Sequence, residues 1–370
     1  MTALYIHIPF CVRKCAYCDF VSFAGAGGEI IDSYVAALCR ELEDRAIYLR
    51  EGISTVYLGG GTPVLLSPRH VEKIFSGIRK ICSDFPGDRE ITMEANPGAA
   101  DTGKLQAFRD AGISRISLGV QSFNDGMLEI LGRIHTAYDA ARTYEDCRRA
   151  GFENINLDLM FALPDQTLYL WREDIRRAVS LAPQHISCYN LQVEENTPMW
   201  DKKHPKEGDA GERLVFPDEE TDAKMYEFAT EYLREHNYLR YEISNFALPG
   251  RESLHNIAYW KNADYLGLGV AAHSHIAGER WANTSSLNDY LDSPEKSIVE
   301  RRKADPFSCR QETIFLGLRM DEGVKAGLFE GFEKDVEELL GEGLIEEHSG
   351  RYRLTGQGVL LGNRVFSHFV

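Results

Sequence analysis

Cys11, Cys15 and Cys18 stand in His7-Ile-Pro-Phe-Cys-Val-Arg-Lys-Cys-Ala-Tyr-Cys-Asp-Phe20, a C-x3-C-x2-C spacing. Three thiolates on one short loop can hold three irons of a [4Fe-4S] cluster and leave the fourth iron open to a ligand the protein does not supply. An open iron points to chemistry. A fourth cysteine at this spacing would suggest a closed electron-transfer cluster, and two C-x2-C pairs a structural zinc. Unrelated buried thiols are the bland alternative. The remaining cysteines, Cys39, Cys82, Cys147, Cys188 and Cys309, are too scattered for a disulfide scaffold in 370 residues.

Further polar residues could serve a ligand at that iron. Tyr5 and His7 alternate with Ile6 and Ile8, so on a strand the two rings share a face. Tyr17, inside the cysteine loop, is placed to meet an adenine. Gly59-Gly-Gly-Thr-Pro63 allows close backbone approach, Glu94 can accept from ribose hydroxyls, and Arg133 can clamp a carboxylate. Gln121 and Asp158 complete a second polar set.

Elements that could position these groups follow from the hydrophobic pattern. Strand-like runs at 4–8, 55–58, 91–94, 115–118, 154–159 and 185–191 alternate with helical runs at 31–50, 68–82, 103–111, 138–150 and 168–181. Six such units predict an α/β fold, a partial (β/α)6 barrel of TIM type with its polar rim at the carboxyl ends of the strands. The composition predicts three parts: the barrel over 1–207, a connecting region over 208–310, and a C-terminal winged-helix-like module of helices and a hairpin over 311–370. The acidic balance, net charge −16, argues against a nucleic-acid surface, and acids outnumber bases in the final module as well. With no membrane-length apolar run, and a first strand preceded by Met1 to Ala3, a cytoplasmic location is expected.

The cysteine loop resembles that of the radical S-adenosylmethionine (SAM) superfamily, in which SAM chelates the open iron. Tyr5-Ile-His-Ile-Pro-Phe-Cys11, Gly59-Gly-Gly-Thr-Pro63, Glu94-Ala-Asn-Pro97, Ser117-Leu-Gly-Val-Gln-Ser-Phe123, Gly132-Arg-Ile-His135 and Asn156-Leu-Asp-Leu-Met160 together resemble its coproporphyrinogen III dehydrogenase-like branch. That resemblance implies that Tyr5, Tyr17, Gly60, Gly61 and Glu94 serve the cluster-bound SAM, and that Thr62, Gln121, Arg133 and Asp158 lie near a second one. Two features differ from what the dehydrogenase pattern leads one to expect: Phe20 stands where its motif continues to a further cysteine, and only Met1 to Ala3 precede the expected first strand, where the dehydrogenase carries an arm.

Both departures fit the heme-chaperone group of the branch, as does His255-Asn-Ile-Ala-Tyr-Trp260, which is similar to that group's HNxxYW heme motif. The resemblance implies heme binding through His255, Asn256, Tyr259 and Trp260, and delivery to apo-hemoproteins of the respiratory chain; a homodimer and peripheral contact with membrane proteins are compatible with it. His273 and His275 alternate and are read as structural or heme-adjacent. The alternatives are radical decarboxylation of coproporphyrinogen III, another two-SAM methylation or cyclisation, and a winged-helix heme or iron sensor. A carrier needs no radical, so the resemblance implies heme carriage without requiring SAM cleavage, the step that would make the chain an enzyme.

Overall fold

The computed structural model describes residues 1–83, 85–205 and 214–370. β1 (Thr2–Ile8) leads into a loop carrying two short strands, β2 (Phe10–Cys11) and β3 (Phe23–Ala24). Next come β4 (Ile53–Gly60), β5 (Glu90–Ala95), β6 (Arg115–Gln121), β7 (Ile155–Phe161) and β8 (His185–Asn190), each separated from the last by one or more helices. The second half adds β9 (Leu239–Glu242), β10 (Asn245–Ala247), β11 (Tyr265–Leu268), β12 (His273–Ile276), β13 (Glu279–Asn283) and β14 (Ile298–Lys303).

The six strands expected from the sequence lie side by side and parallel, in the order β1-β4-β5-β6-β7-β8. Their apolar residues are buried on both faces, as parallel sheets require. β11 adds a parallel strand on the far side of β1, pairing Tyr5 with Gly267, and β12, β13 and β14 continue antiparallel from it. On the other edge β10 and β9 follow β8. Among the described residues these twelve strands form one sheet. Residues expected to connect two domains therefore extend the barrel sheet at both edges, and one hydrophobic core runs from Leu4 to Phe369. The boundary expected at 207/208 lies outside the described residues.

Helix starts are encoded locally. Ser67 and Thr136 form reciprocal capping boxes with His70 and Asp139, and Asp101, Thr167 and Asp218 each accept an amide of their first turn. The helix Gly28–Asp44 ties the first half to the second through Glu41. This buried carboxylate accepts from Gly269 N (2.8 Å), Asn283 Nδ2 (2.6 Å) and Tyr290 Oη (2.7 Å), with Arg45 at 3.6 Å. Tyr34, on the same helix, donates to the carbonyl of His7 at 2.7 Å and so fixes the exit of β1.

The C-terminal module holds the helix Glu333–Gly341 and the sheet of β15 (Val324–Lys325), β16 (Ile345–His348) and β17 (Arg351–Leu354). The expected hairpin is present, turning at Ser349 and Gly350 with φ of 51° and 74°, the backbone that a tight two-residue connection demands.

Candidate functional site

Cys11, Cys15 and Cys18 are free, half-buried thiols on the loop that leaves β1. The loop is stitched down by Gly25 N to Cys11 O (3.1 Å), Ala16 N to Leu131 O (3.0 Å) and Met199 N to Ala16 O (2.9 Å). Among the described residues no three His, Cys, Asp or Glu side chains gather closely enough for a single metal ion. In a cubane each thiolate binds its own iron, so three soft donors on one loop fit the cluster without meeting at a point. Burial raises the Cys18 thiol pKa, and cluster binding requires the thiolate.

The glycine triplet fastens this loop. Gly61 N donates to Ile8 O (2.9 Å) and Thr62 N to Phe10 O (2.8 Å), joining the end of β4 to the chain leaving β1. A Cβ on Gly61 would lie 2.7 Å from Phe10 O, and one on Gly60, whose φ is +109°, would lie 2.4 Å from the His7 ring. Close approach is needed here by the protein's own backbone.

Glu94 sits half-buried at the carboxyl end of β5. Its carboxylate accepts from Tyr57 Oη (2.9 Å) and Gly60 N (2.9 Å). Burial, with the Asp158 charge adding, pushes its pKa up to about 7. Unused lone pairs leave capacity for ribose hydroxyls. Tyr5 Oη lies 2.9 Å from His7 Nδ1, and His7 Nε2 2.9 Å from Val21 O. The carbonyl can only accept, so Nε2 carries the proton and Nδ1 receives the Tyr5 hydroxyl. Burial lowers the His7 pKa, in keeping with a neutral ring. Tyr17 packs beside Met127, Leu131 and Met199, its hydroxyl pKa raised by burial against the pull of Arg133.

Asn96, which the sequence reading left without a role, organises the rest. Arg133 Nη1 donates to Cys15 Sγ (3.4 Å) and its Nη2 to Asn96 Oδ1 and Gly119 O (2.7 Å each). Asn96 Nδ2 donates to Thr62 Oγ1 (2.9 Å), and Thr62 Oγ1 to Cys11 Sγ (3.7 Å). Both ends of this chain deliver donors to sulfur, an arrangement suited to thiolates. A cavity of about 290 Å³ opens over Cys15, Thr62, Asn96 and Arg133. Gln121, at φ 66°, places its amide over Gly119 beside Asn96 and Arg133. Asn96 was discoverable as the residue two after Glu94, on the same strand face if the strand continues.

Asp158 lies deeper, accepting from Ser117 Oγ (3.0 Å) and Asn156 Nδ2 (2.8 Å), its pKa raised by burial. Beneath it a polar floor lines the amino ends of the strands. Asn156 Oδ1 meets His185 Nδ1 at 2.6 Å, His185 Nε2 meets Tyr241 Oη at 2.9 Å, and Arg115 is buried beside them.

His255 belongs to this floor. The helix Leu254–Trp260 begins on Glu90, which accepts the amides of Leu254 and His255 (3.2 and 3.1 Å), and drives a fully buried imidazole into the barrel. Its Nδ1 pairs with Thr55 Oγ1 (2.8 Å) and its Nε2 with Tyr259 Oη (3.0 Å). Burial, then Arg115, pulls its pKa down to about 3. Thr55 and Gly60 are five residues apart on β4, which puts His255 roughly 16 Å below the cysteine rim. In this conformation His255 presents no free nitrogen to an iron. Asn256 is half-buried, Tyr259 faces Tyr265 edge-on at 4.6 Å, and Trp260 carries the Arg319 guanidinium over its ring at 4.4 Å.

Tyr259 and Trp260 instead border a second cavity, of about 730 Å³, which reaches from Asp19, Phe20 and Val21 to β12, β13 and the helix Pro306–Gly317.

The parallel strands, the cysteine loop at their carboxyl rim and the glycine triplet beside it define a radical SAM protein. The radical SAM superfamily profile matches residues 5–178, and that of the HemN C-terminal domain residues 310–361. The heme chaperone HemW of Bacillus subtilis is 38% identical over 100% of this chain and 99% of its own length, and HemW of Lactococcus lactis 36% over 99% and 96%. The mitochondrial radical S-adenosyl methionine domain-containing protein 1 of Bos taurus is 32% identical over 93% of this chain and 81% of its own. The chain belongs to the HemW family, in the HemN-like branch of the radical SAM superfamily. Its fold is that of Escherichia coli coproporphyrinogen III oxidase (HemN), with a TM-score of 0.84 at 23% identity, over 100% of this chain and 89% of that one.

Proposed function

We propose that this protein is a cytoplasmic heme chaperone that binds heme and passes it to apo-hemoproteins, respiratory-chain components among them. Cys11, Cys15 and Cys18 hold a [4Fe-4S] cluster, with Tyr5, Tyr17, Gly60, Gly61 and Glu94 around its SAM, and Thr62, Gln121, Arg133 and Asp158 on the side where a second would lie. When bound, the cluster and SAM supply one-electron chemistry. The chain's own residues orient the ligands. Arg133 and Thr62 donate toward sulfur, Glu94 is half protonated near pH 7, and Phe20 stands where a further thiol would be.

The observation that carries this reading is the cavity of about 730 Å³ beside the cysteine loop, walled by Phe20, Tyr259, Trp260, Tyr265 and Phe315. Its volume lies within the roughly 300–1,000 Å³ of cofactor sites, and flat aromatic walls suit a porphyrin. The full-length likeness to proteins named heme chaperones supports the same ligand. Among the described residues no helix is long and apolar enough to cross a membrane.

Two anaerobic reactions test the proposal, one supplying hemin and an apo-hemoprotein acceptor, the other coproporphyrinogen III with SAM and dithionite. The expected result is stoichiometric heme uptake and transfer, with no porphyrinogen product. Formation of protoporphyrinogen IX, or absence of heme binding, would overturn it.

A further inference from the structure

The large cavity carries two imidazoles, and they differ in what they have left to give. His7 spends both ring nitrogens, on Tyr5 and on Val21. His273, the first residue of β12, is exposed at the cavity wall, and no hydrogen bond among the described residues engages its side chain. Nearby, His275 is 4% exposed and packs on Tyr265, while His255 is sealed in the barrel floor. A porphyrin iron entering this cavity therefore meets one ring able to offer a nitrogen.

The surroundings suit the rest of the ligand. Phe20 is 62% exposed at the cavity, an apolar ring in water that a flat macrocycle would cover. Trp260 and Phe315 offer further aromatic surface. Of the two cavity arginines, Arg280 is locked bidentate on Glu312 (3.0 and 2.8 Å), whereas Arg302 is 66% exposed and touches Glu312 only at 3.5 Å. Arg302 can turn to a propionate at little cost.

We propose that His273 is the axial ligand of heme bound in this cavity, with the porphyrin against Phe20 and Trp260 and a propionate at Arg302. The assignment rests on the heme-chaperone reading and deepens it.

The test is hemin titration of the full-length protein, followed by Soret absorbance and by resonance Raman of the iron–ligand bond. His273→Ala is expected to weaken binding about tenfold or more and to lose the histidine-ligated spectrum, which free imidazole restores. His273→Cys is expected to convert it to a thiolate-ligated one. His255→Ala, confirmed folded by circular dichroism, is expected to keep the wild-type ligation. If wild type binds hemin and His273→Ala leaves affinity and spectrum unchanged, or folded His255→Ala abolishes ligation, this assignment fails while the chaperone reading stands. If wild type takes up no hemin, the chaperone reading fails with it.

Discussion

At the scale of single residues, the rim depends on groups whose partners lie far away in the chain. Gly61 is an example, since any side chain there strikes the backbone of Ile8 and Phe10 that carries Cys11. Gly61→Ala is expected to destabilise the protein by about 1–3 kcal/mol and to lower iron and sulfide content after cluster reconstitution, measured by elemental analysis beside wild type. Glu94 makes a pH-dependent prediction. Its native pKa, about 7, lies above the ordinary 4.5, so in the ligand-free protein its contribution is full below pH 4.5 and is lost as pH rises toward 7. Glu94→Gln should therefore gain stability relative to wild type across that window, by up to about 3 kcal/mol, in urea unfolding at stepped pH. A gap that does not change with pH would show that the carboxyl titrates normally in the native state.

Among the elements, the short helix Leu254–Trp260 does the most with the fewest residues. Ser253 caps it, Glu90 receives its first amides, His255 plugs the barrel floor, and Tyr259 and Trp260 face the cavity. Replacing His255 by Leu leaves the Thr55 and Tyr259 hydroxyls without their buried partner. The expected cost is about 2–3 kcal/mol at pH 7. The native pKa of His255, about 3, lies below the ordinary 6.5, so the unfolded chain takes up its proton first and wild type loses about 1.4 kcal/mol per pH unit below 6.5 through this group. The gap between wild type and His255→Leu should thus narrow on acidification, which denaturation at pH 7, 6 and 5 would read. A gap that widens would contradict the buried neutral ring.

For the molecule as a whole, the C-terminal module joins the barrel around Arg319. Its guanidinium lies over Trp260 at 4.4 Å and 3.9 Å from the fully buried Glu242. Arg240 to Asp321 (2.7 Å) and Lys261 to Glu322 (3.0 Å) brace the same seam. Arg319→Ala removes the stacking and leaves the Glu242 carboxylate without its cation, a loss of roughly 3 kcal/mol. Hydrogen exchange in Ile345–His348 and Arg351–Leu354 is expected to accelerate more than in the parallel strands; equal protection would mean that the module is held mainly elsewhere. Because the helix Pro306–Gly317 also walls the large cavity, loosening this seam should weaken heme binding too.

Much of this was readable in the chain because it is written between near neighbours. Cysteine spacing, the glycine triplet and the alternation of strand-like with helical runs each depend on residues a few positions apart, so the six parallel strands and most of the rim could be anticipated. The chain from Cys11 through Thr62, Asn96 and Arg133 to Cys15 could not, since it exists only once three strand ends and a loop meet. β11 to β14 escaped for a similar reason: they are short, and β11 is defined by pairing with β1 some 260 residues earlier. The His255 motif shows the limit most plainly. Its letters were visible, but the direction its imidazole faces was decided by Thr55, 200 residues away in the barrel floor, together with Tyr259 one turn on, because a buried ring turns to whichever partners satisfy both nitrogens.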